Sequence, residues 1–98
     1  MASNFEWDES KNRQNVELRG IDFSVAEGFD WSTAQLFADD RIDYGEDRVI
    51  ARGTIGDRLH ILVFVLRGSR MRIISLRKAN RRERRAYVAE TGRPLRDT

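Results

Sequence analysis

The chain has 98 residues and no cysteine, so it has length for one hydrophobic core and neither a disulfide framework nor a thiolate metal cage to reinforce it. A composition 40% hydrophobic and 35% charged, with a net charge of +2, suits a globular chain better than a disordered one and fits one domain over 1–98, with loose ends at about 1–4 and 93–98. The longest apolar run, Ile61 to Leu66, is too short to cross a bilayer and no signal pattern opens the chain, so a cytoplasmic location is expected.

Taken in order, Phe5-Glu6-Trp7 reads as a short extended piece. Asp8 offers an N-cap for a helix from Glu9 to about Leu18 that Gly20 ends. Its apolar stripe is thin, with Val16 and Leu18 the clearest members, so packing by Phe5 and Trp7 is expected to hold it. Ser24-Val25-Ala26-Glu27 has the Ser-x-x-Glu form of a capping box. It predicts a second short helix with Val25, Ala26 and Phe29 on its apolar face and its end at Trp31-Ser32.

Ala34–Ala38 and Arg48–Thr54 read as strands joined through the acidic segment Asp39 to Asp47, and Ile55-Gly56-Asp57 as a turn. Leu59–Leu66 is apolar in both alternation phases, which predicts a central strand covered on both faces. Gly68-Ser69 suits a type II′ hairpin to Met71–Leu76. A straight two-residue register sets Arg67 against Arg70, Val65 against Arg72, Phe64 against Ile73, Leu62 against Ser75 and His60 against Arg77. His60, Ser75 and Arg77 then share one face while Arg67 and Arg72 occupy the other, and a slip of one residue rearranges the site. Asn80 and Glu83 are an N-cap and N3 pair opening a helix from about Arg81 to Glu90, which Thr91-Gly92 and then Pro94 terminate. The expected fold is α+β: two N-terminal helices, an antiparallel sheet of about four strands, and a C-terminal helix.

Charge is divided along the chain. Residues 1–47 hold four basic and twelve acidic side chains, a balance of −8, and the rest hold fourteen and four, a balance of +10. All the basic residues of the second half except Lys78 are arginines, which stay charged at any working pH and grip phosphate in two-pronged fashion. A polyanion is the implied ligand.

Phe5-Glu6-Trp7-Asp8, Asn15, Gly20-Ile21-x-Phe23, Glu46-x-Arg48, Arg67-Gly68, Arg72-Ile73-Ile74-Ser75-x-Arg77-Lys78-Ala79, and Arg82-Glu83 with Tyr87 run through residues 5 to 88. In this combination the chain resembles the BrnT family of bacterial type II toxins, whose fold is similar to RelE. It departs from the family pattern at Leu18-Arg19-Gly20, where relatives usually carry a basic residue and then histidine before the glycine. The resemblance implies an endoribonuclease that acts on RNA, inhibits translation when free, and is silenced by a BrnA-type antitoxin with a ribbon-helix-helix region. It also implies that operator DNA is reached only through the antitoxin, with the toxin as corepressor.

Metal-independent RNA cleavage uses the neighbouring 2′-hydroxyl as nucleophile and breaks the P–O5′ bond. It needs a proton acceptor, stabilisation of negative charge on the phosphoryl group, and a proton for the leaving oxygen. Arg67, Arg77, Lys78 and Arg82 are the catalytic candidates for charge stabilisation, and Arg48 and Arg72 are further RNA-binding candidates. For proton transfer the choices are Glu83, Tyr87 and His60, the only histidine. His60 is otherwise an ordinary strand residue that contacts RNA at most.

Each has a structural reading beside the chemical one. Glu83 at N3 is a capping residue, and Tyr87, one turn on, either stacks on a base or closes the core of the last helix. Arg81, Arg82, Arg84 and Arg85 form a solvated helix face or part of the site. Glu46 and Arg48 suit a cross-turn ion pair, while Phe29, Trp7 and Trp31 suit the core or an antitoxin-facing surface. The acidic segment Asp39 to Asp47 has no metal-ligand spacing and either repels RNA or contacts a basic part of the antitoxin. No metal, cofactor or membrane is expected. The competing functions are a non-catalytic RNA-binding module and a corepressor.

Overall fold

The computed structural model describes residues 4–41, 43 and 45–96; the outermost positions expected to be loose, 1–3 and 97–98, lie outside the described residues. In chain order the elements are β1 (Phe5–Glu6), α1 (Glu9–Arg19), a 3-10 segment (Phe23–Gly28), β2 (Phe29–Asp39), β3 (Arg48–Ile55), β4 (Arg58–Arg67), β5 (Arg70–Lys78) and α2 (Arg81–Thr91). The strands form one sheet in the order β1-β5-β4-β3-β2, with β1 parallel to β5 and the other pairs antiparallel. The fold is α+β as expected. The sheet has five strands and is mixed, because the chain start pairs with the outer edge of β5 through Phe5 opposite Met71 and Glu6 opposite Arg72. Among the described residues no helix is long and apolar enough to cross a membrane.

The Asp8 side chain accepts from the amides of Ser10 and Lys11, and Gly20 at φ 71° ends α1. Its thin apolar stripe is not what docks it: Val16 is 42% and Leu18 79% exposed. The buried residues are Asn12 and Asn15. Asn15 Nδ2 donates to the carbonyls of Ile21 (2.8 Å) and Leu76 (2.9 Å), while Asn12 Oδ1 accepts from the Phe23 amide (2.8 Å). Asn15 thereby satisfies part of the β5 edge beyond the reach of β1, where an unpaired buried carbonyl is costly.

The second helix expected from Ser24-Val25-Ala26-Glu27 is instead a 3-10 segment capped by Asp22, whose carboxylate accepts from the Ser24 amide. Phe23 and Ala26 are its buried members. Six residues are few to nucleate an α-helix, and Phe29 and Trp31 are drawn into β2 instead of a helix end. Their rings meet at 4.6 Å with a tilt of 59°, and Trp31 meets Phe64 edge-on at 5.8 Å. Gly53 makes room for this cluster, since a Cβ there would lie 2.8 Å from Phe29 Cζ.

β4 is central and buried on both faces, as its double-phase apolar pattern requires. On one side Phe23, Ala51, Leu62, Phe64, Ile73 and Leu76 pack with the 3-10 segment, with Phe5 and Trp7 against them. On the other side Leu59, Ile61 and Val63 pack with Tyr87 of α2, Ala79 and Leu95. Leu95, only 8% exposed, returns the expected loose tail to the core.

The β4–β5 hairpin turns at Gly68, φ 61°, with no positive φ at Ser69, as a type II′ turn requires. Arg67–Arg70, Val65–Arg72 and Phe64–Ile73 pair as expected. The ladder then shifts: Val63 faces Ser75, Leu62 faces Leu76, Ile61 faces Arg77 and His60 faces Lys78. Ile74 is therefore the extra residue of a β-bulge, and the expected pairs Leu62–Ser75 and His60–Arg77 do not form. Without the bulge Leu76 would point away from the core it fills.

Candidate active site

The bulge decides which side chains meet. In an unbroken strand Arg72 and Arg77, five residues apart, point to opposite faces. The added residue brings Ser75 and Arg77 to the face of Arg72. The pairings then give three cross-strand rows on the α2 side of the sheet: Asp39–Arg48–Val65–Arg72, Phe37–Ile50–Val63–Ser75 and Gln35–Arg52–Ile61–Arg77. Arg67 and Arg70, opposite one another at the hairpin end, continue the same face. His60 and Lys78 are paired on the other face, so the expected grouping of His60 with Ser75 and Arg77 is replaced by one of Arg67, Arg72, Ser75 and Arg77.

A cleft of about 360 Å³ opens on this face, floored by Ile50, Ile61 and Val63 and walled by Phe37, Arg52, Arg77 and Glu83. Arg77 is held in it by a bidentate ion pair. Its two terminal nitrogens donate to the two Glu83 oxygens at 2.8 and 2.7 Å. Glu83 Oε1 also accepts from the Asn80 amide while Asn80 Oδ1 accepts from the Glu83 amide. One carboxylate thus caps α2 and fixes the guanidinium. The Arg77 hydrogen bond, followed by opposing desolvation, holds the Glu83 carboxyl below its ordinary value, and Glu83 in turn raises the pKa of Arg77. Glu83 is consequently ionised at neutral pH. Arg77 Nη1 also donates to the Lys78 carbonyl at 3.3 Å, so the guanidinium N–H groups outside these bonds are Nε–H and one on Nη2.

The other arginines also carry counter-charges. Arg67 donates to Glu46 (3.2 Å), while Arg70 and Arg72 donate to the two oxygens of Glu6 (2.7 and 3.1 Å). These bonds hold the Glu6 carboxyl below its ordinary range. Glu46, expected beside Arg48, reaches across to Arg67.

Tyr87 is fully buried, and its hydroxyl donates to the Thr33 carbonyl at 2.8 Å. It has no surface to offer a base. His60 is 5% exposed, with Nδ1 3.0 Å from the Arg58 carbonyl oxygen. Arg82 is exposed on the first turn of α2. The sequence reading passed over Arg52, Phe37, Arg19 and Arg41, all of which line the cleft. Arg52 had one usable signal: with Arg48 and Ile50 it recurs at the strand period of two, which puts all three on one face. A second, larger hollow lies at the β2–β3 end, where Leu36, Phe37 and Val49 meet Asp40, Asp43 and Glu46.

The family model described as ribonuclease toxin, BrnT, of type II toxin–antitoxin system matches residues 7–83. The chain belongs to the BrnT family. As a BrnT chain it is a ribonuclease toxin, and the type II arrangement supplies it with an antitoxin partner. No curated protein matches it. The match ends at Glu83, so it includes β5 and its bulge, and Arg77 together with its carboxylate partner. Arg19 is one of the cleft residues.

Proposed function

We propose that this BrnT chain is a metal-independent endoribonuclease that binds the scissile phosphodiester in the cleft at Arg77. The observation carrying this reading is that Arg48, Arg67, Arg72 and Arg77 share one sheet face, with Arg77 held in a single orientation by Glu83. A pre-set guanidinium stabilises charge that grows on the phosphoryl oxygens without reorganising at the moment of reaction.

In the proposed step the 2′-oxygen forms a bond to phosphorus and the P–O5′ bond breaks, leaving a 2′,3′-cyclic phosphate and a 5′-hydroxyl. Arg77 contacts the non-bridging oxygens, with Arg72 and Arg48 holding the adjoining backbone and Arg67 the strand near the hairpin. Glu83 is a positioning residue, because both of its oxygens already accept from Arg77 and its lowered pKa makes it a weak base. Water accepts the 2′-hydroxyl proton and supplies the one taken by the leaving oxygen. Arg82 lies outside the cleft on the first turn of α2 and acts as a phosphate contact along the RNA, whereas Lys78 projects from the other sheet face and takes no part in the step.

In the cell the free toxin inhibits translation. A ribbon-helix-helix antitoxin silences it, and the pair represses its own operon. The hollow of Leu36, Phe37 and Val49 rimmed by Asp40, Asp43 and Glu46 supports an antitoxin contact made through basic and apolar side chains together.

The test is cleavage of RNA by antitoxin-free protein in excess EDTA, beside Arg77→Ala and Arg67→Ala. Cleavage by the parent and loss in both variants is the expected result. Undiminished cleavage by Arg77→Ala defeats the site. Growth arrest on induction, relieved by antitoxin co-expression, tests the cellular role.

A further inference from the structure

Phe37 is an aromatic ring left 41% exposed where the arginine-lined cleft meets the hollow rimmed by Asp40, Asp43 and Glu46. It stands on β2, in the cross-strand row that ends at Ser75 and next to the row that ends at Arg77. Adjacent strands are about 4.8 Å apart, so Phe37 and Arg77 rise from walls roughly 14 Å apart across the apolar floor of one cleft.

The ring is held from one side. Arg52 Cζ lies 5.1 Å from its centroid. Two bonds from Arg52 Nε (2.9 Å) and Nη2 (2.6 Å) to Gln35 Oε1, and a third to Glu90 at 3.2 Å, fix that guanidinium. The Arg52 side chain is only 12% exposed, which makes it a poor primary phosphate ligand and a good support for a ring. An aromatic beside a planar cation, open to a cleft, is the arrangement on which unpaired nucleobases stack.

We propose that Phe37, braced by Arg52, is a nucleobase-stacking subsite that holds one unpaired base of the RNA while the neighbouring phosphate lies at Arg77. This rests on the ribonuclease reading above and adds a substrate class: single-stranded RNA with a base free to unstack. Stacking on a ring tolerates any base, so the subsite selects for strandedness more than for sequence.

The test uses short single-stranded oligoribonucleotides, 2′-O-methylated throughout so that they cannot be cleaved, with one abasic residue placed at each position in turn. Kd is measured for the parent, Phe37→Ala, Phe37→Leu and Phe37→Tyr, each first checked for a native urea-unfolding midpoint. Phe37→Ala and Phe37→Leu are expected to weaken binding of the intact oligomer about 5- to 100-fold, with Phe37→Tyr close to the parent. One abasic position should weaken the parent by a similar factor and weaken Phe37→Ala no further.

Losses that multiply at every abasic position, or unchanged RNA affinity in Phe37→Ala and Phe37→Leu, overturn the subsite. So does unchanged RNA affinity accompanied by weakened antitoxin binding, which would make the ring a protein contact. Cleavage of unmodified RNA is scored separately. Coupled binding without cleavage defeats the nuclease chemistry and leaves the subsite standing, whereas normal cleavage with uncoupled binding does the reverse.

Discussion

Arg77 faces Ile61 across the β4–β5 ladder, one residue out of step with His60. That offset comes from Ile74, and it turns Arg77 toward the cleft while His60 points to the far side of the sheet. Arg77→Ala should lower kcat by roughly 100-fold or more, the usual cost of a fixed donor to developing charge. Arg77→Lys should recover only part, since an ammonium cannot hold both Glu83 oxygens and a phosphate in one plane. His60→Gln should leave kcat near that of the parent. Single-turnover cleavage measures all three, and a large loss in His60→Gln would place the proton acceptor on the wrong face.

The Arg77–Glu83 pair ties stability to pH. Glu83 has a folded pKa below its ordinary value of 4.5, chiefly through the Arg77 hydrogen bond. Its contribution is complete above the unfolded value and is lost as pH falls through the folded one. Glu83→Gln should therefore cost about 1–2 kcal/mol near pH 7, and the deficit should shrink at acid pH below 4.5. Urea unfolding from pH 7 down to pH 3 reads it, and a deficit independent of pH would remove the ion pair from the account.

With no cleft histidine and with Glu83 already ionised, the rate should climb with pH through neutrality and show no bell. A bell-shaped kcat/KM profile centred near neutrality would mean that a tuned acid and base take part.

Tyr87 should matter to stability and not to chemistry. Tyr87→Phe removes the bond to the Thr33 carbonyl and should cost about 1 kcal/mol with kcat unchanged. Tyr87→Ala empties a fully buried site and should cost about 3–5 kcal/mol. A kcat defect in a stably folded Tyr87→Phe protein would restore the catalytic reading.

Asn15 bridges α1 to the β5 edge through the carbonyls of Ile21 and Leu76. Asn15→Ala leaves both buried acceptors short of a donor and should cost about 2–3 kcal/mol. Amide exchange at Leu76, whose N–H reaches Asn15 Oδ1 at 3.4 Å, should speed up with it. An unchanged midpoint would mean that the Phe5 and Trp7 packing carries α1 alone.

Local signals were legible wherever neighbours in the chain decide the structure. Asp8 and Gly20 bound α1, Gly68 turns the hairpin, Asn80 and Glu83 open α2, and the double-phase apolar run of β4 forms the central strand. The 3-10 segment differs from the helix its sequence predicts because Ser24 and Glu27 match a helix start while Phe29 and Trp31, four and seven residues beyond Val25 and Ser24, gain more by packing on the sheet. The candidate site was legible in its residue types and not in their grouping. A bulge has no reliable mark in an apolar strand, and one extra residue inverts every side chain beyond it.

By itself the sequence determined an α+β domain rich in second-half arginine, with its family readable from motifs spread over most of the chain. Only the tertiary structure decided that Glu6 and Glu46 of the acidic first half lie against Arg70, Arg72 and Arg67, so that a charge division along the chain becomes an interleaved surface. It also decided that Arg77 joins Arg72 and that Tyr87 leaves the surface. The reason is physical: composition and spacing constrain neighbours in the chain, whereas the face a side chain takes depends on a register chosen by burying Leu76 and Ile73 together, many residues away.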